Sequence, residues 1–203
     1  MKDFWNQRYK EEGYAYGDRP NDFLSQEVPR LKKGGKILCL AEGEGRNALF
    51  LARQGFQVTA VDFSEVGMNK LRQKAEVEKL PIEVITADLA DFDMGENKWD
   101  GIISIFAHLP IPVRVLVHDK IQKALKPDGV LILEAYHPKQ MGYNTGGPKD
   151  VTMLMDLNLL HEELPLLKPL FEAELEREIH EGKYHNGQSF VVQYTGQLTK
   201  GNL

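Results

Sequence analysis

KILCLAEGEGRNALFLARQGFQVTAVD, residues 36–62, decides the fold. It runs from an apolar segment through a glycine-bearing loop into a helix-forming stretch, then into a second apolar segment that ends on Asp62. Ala48, Leu49 and Ala52 fall on one helix face, and Gly55 stands where a C′ glycine ends a helix. This is the outline of a β-α-β nucleotide-binding unit, and Gly43-x-Gly45-x-x-Ala48 fits the dinucleotide fingerprint. Yet Glu42 and Glu44 stand beside the place where a diphosphate would lie, with only Arg46 near to offset them. The loop therefore combines glycines, which invite a ligand close, with carboxylates, which repel a phosphorylated one.

Outward from this unit the apolar runs alternate with helical patterns. Ser64 is placed to cap a helix carrying Met68, Leu71 and Ala75, and strands are expected at 82–87, 99–106 and 130–136. Between the last two, a helix after Pro112 carries Val117, Ile121 and Leu125 and is closed by Lys-Pro-Asp-Gly. Short helices at 3–11 and 19–31 precede the unit. Such alternation predicts a mostly parallel sheet covered on both faces. Beyond residue 137 the pattern changes. Residues 143–150 read as a loop and 151–164 as a helix with Leu154, Leu157 and Leu164. In 171–179, Phe171, Ala173, Leu175 and Ile179 alternate with Glu172, Glu174, Glu176 and Glu178, the period of a strand with one wet face. Asn186-Gly187 gives a hairpin signal, and residues 189–198 return as a second strand. The expected fold is α/β: a Rossmann-like, doubly wound, mostly parallel seven-stranded sheet with a C-terminal antiparallel hairpin. One domain is expected over 1–203, with 1–33 a helical lid, 34–137 the nucleotide-binding core and 138–203 a helix and hairpin.

Composition narrows the function classes. The 203 residues carry a formal net charge of -5, and the pI is near 5.7. No Lys/Arg cluster provides the electrostatic footprint of a nucleic-acid binder. Cys39 is the single cysteine and sits in an apolar strand, so neither an intrachain disulfide nor a cysteine metal cage is expected. The N-terminus lacks the apolar core of a secretory signal, and the longest apolar stretch is interrupted by His108, Pro110, Pro112 and Arg114. A cytoplasmic protein without membrane partners is expected; oligomeric state is not legible.

The acidic loop favours S-adenosyl-L-methionine (SAM), which has no phosphate and a net positive charge, over a nicotinamide dinucleotide. Asp62 has the spacing of a ribose-binding carboxylate and serves either cofactor. Asp88, at the tip of the third strand, is placed to accept from an adenine amine, or else is a turn residue. An NAD-dependent oxidoreductase and a non-catalytic SAM-binding module are the rival readings.

Together, FWNQRY…YAYGDRPNDFL, LAEGEGRN, VTAVDFS, ADLADF, IISIFAHLP and LKPDGVLILE resemble the class I SAM-dependent methyltransferases, in the branch of small bacterial tellurite-resistance enzymes. The resemblance implies SAM as cofactor, a sheet whose last strand is antiparallel, and an N-terminal segment folded over the cofactor. It points to Ala41, Glu42, Gly43, Gly45, Arg46, Asp62, Phe63, Asp88, Leu89 and Tyr16 as cofactor-binding positions. Two positions depart from the family pattern. Cys39 replaces an acidic residue, and Ala41 replaces the first loop glycine.

Methyl transfer from a sulfonium needs alignment, exclusion of water and sometimes a base, but no protein nucleophile or metal. His180 and His185 are not spaced as metal ligands and flank the hairpin turn. His108, after the fourth strand, is a candidate base or acceptor-positioning group, and equally a cap for the turn before Pro110. Tyr136 and His137 end the fifth strand, with a structural role expected for His137. Trp5 and Tyr9 read as the buried stripe of a short helix, while Tyr14 and Tyr16 offer aromatic faces to a cation. A small-molecule acceptor is expected, its identity open. Loop 143–150 either closes on it or only connects, and the glutamate row is either solvated or a contact surface.

Overall fold

In the computed structural model, residues 2–199 are described. Met1 and residues 200–203, which the domain expectation included, lie outside the described residues. Lys36–Leu40 (β1), Gln57–Asp62 (β2), Ile82–Thr86 (β3), Trp99–Ile105 (β4), Leu125–Tyr136 (β5), Leu167–Glu181 (β6) and His185–Leu198 (β7) form one sheet in the order β3-β2-β1-β4-β5-β7-β6. Strands β1 to β5 pair in parallel, and β7 runs antiparallel to both β5 and β6. Chain order reverses between β1 and β4, the switch point at which open α/β sheets bind ligands.

Both faces of β1 are buried, which explains its unbroken apolar run. Ile37 and Cys39 join Phe23, Leu49, Met68 and Leu71, whereas Leu38 and Leu40 join Val117, Ile121, Leu131 and Leu160. The first layer comes from Asp22–Glu27 (α2), Arg46–Arg53 (α3) and Glu65–Val77 (α4), and the second from Ile111–Ala124 (α5) and Leu157–Glu163 (α6). Cys39 is fully buried and fills strand space. Lys2–Tyr9 (α1) lies over α4, where Asn6 Oδ1 accepts from the Ser64 hydroxyl at 2.7 Å. Ser64 caps α4 as expected, its Oγ accepting from Gly67 N. Among the described residues no helix is long and apolar enough to cross a membrane.

Several boundaries differ from expectation. The helix expected over 19–31 is only six residues, extended by a 3-10 turn at Val28–Arg30 where Pro29 sits. Leu125 is not the last turn of α5; it opens β5, which runs through Lys-Pro-Asp-Gly by way of an irregularity opposite Trp99 and Gly101. The helix expected over 151–164 splits into a 3-10 turn at Val151–Met153 and α6, because Leu154 and Met155 pack into the core in extended conformation and Asp156 caps a fresh start. The hairpin turn is at residues 182–184 rather than at Asn186-Gly187, which lies inside β7. Tertiary contact decides this. Gly182, at φ +69°, lies so close to Gly17 and Tyr16 that a Cβ would come within 2.4 Å of the Gly17 nitrogen, and Lys183 N donates to Ala15 O. The glutamate row is used within the chain: Glu174 accepts from Leu157 N at the start of α6, Glu172 meets His161 and Glu176 meets Tyr143.

Candidate active site

A cavity of about 730 Å³ opens at the carboxyl ends of the central strands. Every cofactor-binding position named from the sequence borders it, from Ala41 to Arg46 on the first loop to Asp62, Phe63, Asp88, Leu89 and Tyr16, and so does His108. Ala41 adopts φ +49°, the left-handed conformation for which glycine is the usual residue. Phe106, at the tip of β4, is held at φ +52°. Strained non-glycine residues at two strand tips mark where the surrounding fold overrides local preference.

The two loop glutamates have different tasks. Glu42 Oε1 accepts from the amides of Asn47 and Ala48 at 2.9 and 2.8 Å, so a side chain already occupies the second and third amides of α3. Glu44 turns the other way, accepting from Ala15 N at 2.7 Å and from Lys70 at 2.6 Å, and ties the N-terminal segment to the loop. Asp62 is nearly buried; its Oδ2 accepts from Gly43 N and its Oδ1 from Ser64 N. Each Asp62 oxygen keeps acceptor capacity for a further donor. Burial raises the Asp62 carboxyl to about 6, partly opposed by bonds from Ser64 and Gly43. Burial likewise raises Glu42 to about 7, against the bonds from Ala48 and Asn47 and the charge of Arg46.

Asp88 is a turn residue, one of its two expected characters, and it also borders the cavity. It is exposed at the cavity edge, and Oδ1 accepts from Ala90 N at 2.9 Å in a turn. The Arg46 guanidinium borders the cavity but is engaged elsewhere, with Glu181 at 2.6 Å and Arg19 O at 3.3 Å. His108 Nε2 accepts from Tyr136 N at 3.0 Å, and burial, with nearby His185, lowers its pKa to about 3. His108 is thus a neutral ring with one nitrogen already committed. His137 caps the following turn through Nδ1, as expected.

The N-terminal segment roofs the cavity. Phe4, Trp5, Tyr9 and Tyr16 line it; Trp5 and Tyr9 stack at 5.7 Å, and Tyr14 lies outside the lining. Tyr9 sits directly on Gly43, where a Cβ would come within 2.6 Å of its hydroxyl. Arg8 donates to the Tyr16 hydroxyl and lies 4.0 Å over the Tyr184 ring. Residues 144–149 also border the cavity, so the loop before α6 forms part of its wall. Lys183, Tyr184 and His185 complete the wall, and sequence reasoning missed them. The available signal was the pairing of Glu181 with His185, hidden because the Asn-Gly signal placed the turn too late. A hairpin shifted by an odd number of residues changes which side chains share a face. Among the described residues no group of three or more His, Cys, Asp or Glu forms a metal site.

Residues 37–129 match the family described as "Methyltransferase domain". The matched segment, somewhat under half of the chain, is thus similar to a methyltransferase domain, and the sheet has the strand order of the class I SAM-dependent methyltransferase fold. An uncharacterized methyltransferase of Bacillus subtilis, YbaJ, is 31% identical over 114 residues, which are 56% of this chain and 45% of that protein. A tRNA (uracil(54)-C(5))-methyltransferase of Pyrococcus horikoshii is 28% identical over 57% of this chain and 27% of its own length. The matched segment therefore spans less than half of either relative. TehB from Haemophilus influenzae superposes with a TM-score of 0.73 at 19% identity, covering 97% of this chain and 66% of that one.

Proposed function

We propose that this chain transfers a methyl group from SAM to a small-molecule acceptor. The observation that carries the reading is the Glu42 carboxylate seated on the Asn47 and Ala48 amides in the first turn of α3. A pyrophosphate would need those donors and would meet a carboxylate instead, which disfavours the NAD-dependent alternative. SAM fits the same residues. Asp62 has free acceptor capacity for ribose hydroxyls, Asp88 stands beside Leu89 for the adenine, and Glu42 faces the cationic methionine end. Trp5, Tyr9 and Tyr16 present aromatic faces to a sulfonium, a contact worth about 0.5–2 kcal/mol. When bound, SAM supplies an electrophilic methyl on a good leaving group. The chain's own share is to hold the donor between the first loop and the lid, to exclude water under α1 and residues 144–149, and to align the acceptor against the β4 and β7 ends.

A small acceptor is favoured by this enclosure and by the net charge of -5. The volume lies within the roughly 300–1,000 Å³ of small-ligand sites. Calorimetry with SAM, S-adenosylhomocysteine and NADH tests the reading: micromolar binding of the first two and none of the third is expected, and the reverse would overturn it. Release of S-adenosylhomocysteine with small acceptors, but not with tRNA, is the expected turnover; methylated tRNA would transfer the acceptor to RNA, and binding without turnover would leave a SAM-binding module.

Ligand binding should also be coupled to protons. Both Asp62 and Glu42 titrate above their usual range, so the ligand-free fold binds more protons than the unfolded chain between about pH 4 and pH 7. Their contribution to stability is present at low pH and is lost as pH rises through the folded pKa values. A cationic, hydroxyl-donating ligand favours the ionised forms. SAM affinity should therefore rise with pH up to about 7, with net proton release near pH 6.5 in calorimetry across buffers of different ionisation enthalpy. Proton uptake would show that these carboxylates do not face the ligand.

A further inference from the structure

Glu181 ends β6 and His185 begins β7, directly opposite across the three-residue turn. Their side chains lie on one face: His185 Nδ1 has no accessible surface and no hydrogen-bond partner, and stands 3.6 Å from Glu181 Oε2. That separation is too long for a hydrogen bond, yet a small closure would make it one. Glu181 is immobilised by Arg46 at 2.6 Å and by the Asn21 amide at 2.8 Å. The imidazole is wedged by rings, with centroids 4.4 Å from Tyr16, 4.8 Å from Phe106 and 5.3 Å from Tyr136. It borders the large cavity, and Nε2 makes no hydrogen bond within the described residues. One nitrogen thus faces a fixed carboxylate and the other remains available. His108 lacks this arrangement, because its Nε2 is held by the Tyr136 amide.

We propose that His185 is the base that takes the acceptor's proton, oriented by Glu181, and that the acceptor is a small molecule presenting a hydroxyl or thiol. The inference rests on the methyltransferase reading and adds the chemistry of its second substrate. The acceptor's O–H or S–H proton passes to Nε2, and the lone pair on oxygen or sulfur forms the new bond to the methyl carbon. The electrons of the broken carbon–sulfur bond stay on the donor's sulfur, and the imidazolium later returns its proton to water. Glu181 acts through His185: it favours the tautomer with the proton on Nδ1 and stabilises the imidazolium as it forms. The charged and titratable groups around the ring are Glu181, Arg46, Arg8, His108, Tyr16, Tyr136 and Tyr184. Burial lowers the His185 pKa, and this outweighs the opposing pull of Glu181, so the ring is in its base form at neutral pH. Glu181 itself is held down to about 2, against burial, by His185 and Arg46.

Two measurements test this. Nitrogen-15 NMR of the full-length protein with S-adenosylhomocysteine should show a neutral His185 with its proton on Nδ1 near pH 7, and Glu181→Gln should disturb that preference. A proton fixed on Nε2 would overturn the assignment with no need for turnover. Methyl transfer to a panel of small phenols and thiols is the second readout. His185→Gln should lower kcat about 10²- to 10⁴-fold near pH 7, the usual contribution of a positioned base. Its S-adenosylhomocysteine affinity should stay within about threefold, and the kcat deficit should shrink as pH approaches the acceptor's own pKa. Glu181→Gln should lower kcat less and leave KM nearly unchanged. Wild-type turnover of phenols or thiols that survives His185→Gln, with the same pH profile, would refute the base. S-adenosylhomocysteine bound but no phenol or thiol methylated would refute the acceptor class. Failure of wild type to bind S-adenosylhomocysteine would instead overturn the methyltransferase reading.

Discussion

Asp62→Ala is expected to weaken SAM binding by about 10- to 150-fold, the loss of charge-assisted hydrogen bonds worth roughly 1.5–3 kcal/mol. The carboxylate ends β2 with both oxygens fixed by backbone amides, from Gly43 on the loop after β1 and from Ser64 ahead of α4. It is therefore pre-aimed, and ligand hydroxyls need not spend binding energy ordering it. Burial of its charge is itself costly, as its raised pKa records, so deletion should cost affinity more than stability. Asp62→Asn separates shape from charge: it keeps an acceptor oxygen but should recover only part of the affinity, and the pH dependence of binding should flatten. Titration calorimetry at about pH 7.5, above the group's pKa, reads the full difference. Unchanged affinity in Asp62→Ala would mean that the ribose lies elsewhere.

Arg177→Leu should be the most damaging single change to stability, costing about 3–5 kcal/mol because it leaves a buried charge uncompensated. Glu134 on β5 is fully buried, and Arg177 reaches it from β6 in a bidentate pair at 2.8 and 2.9 Å. Asn21, just ahead of α2, and Gln193 on β7 donate to the same carboxylate. With the guanidinium gone, those neutral donors cannot balance a carboxylate in that position. For a chain of this size each kcal/mol moves the melting temperature by about 2–4 °C, so a drop of roughly 10 °C is expected. Glu134→Gln in the Arg177→Leu background should recover much of it; a single variant that melts like wild type would show the pair to be dispensable. The same cluster attaches the segment before α2 to the C-terminal hairpin, through Asn21 and Glu181, so its loss should also loosen the wall that carries His185.

The sheet, its parallel core and the first loop were legible in the sequence because each depends on local regularities. Unbroken apolar runs such as Ile37–Leu40 mean strands buried on both faces, and Asp62 at a strand's end has one place to point. The antiparallel ending was legible from the alternation in 171–179 for the same reason. The hairpin's register was not. The Asn-Gly dipeptide has a real preference for a turn, but the close packing of Gly17 against Gly182 outweighs it, and residues 165 positions apart in the chain leave no local signal. His108 was conspicuous because it follows a strand at the cavity's edge, yet what it can do was settled by the Tyr136 amide. The glutamates beside the loop glycines were plain to see, whereas their division between capping α3 and tying down the N-terminal segment came only from packing.

Sequence alone determined the α/β class, the strand tips that border the cavity and the acidic character of the first loop, because these rest on periodicity and residue chemistry. The tertiary structure decided which charges border the cavity, which are neutralised by partners, and which histidine keeps a free nitrogen. Those outcomes rest on contacts between segments far apart in the chain, where burial and a few ångströms of separation set both protonation and availability.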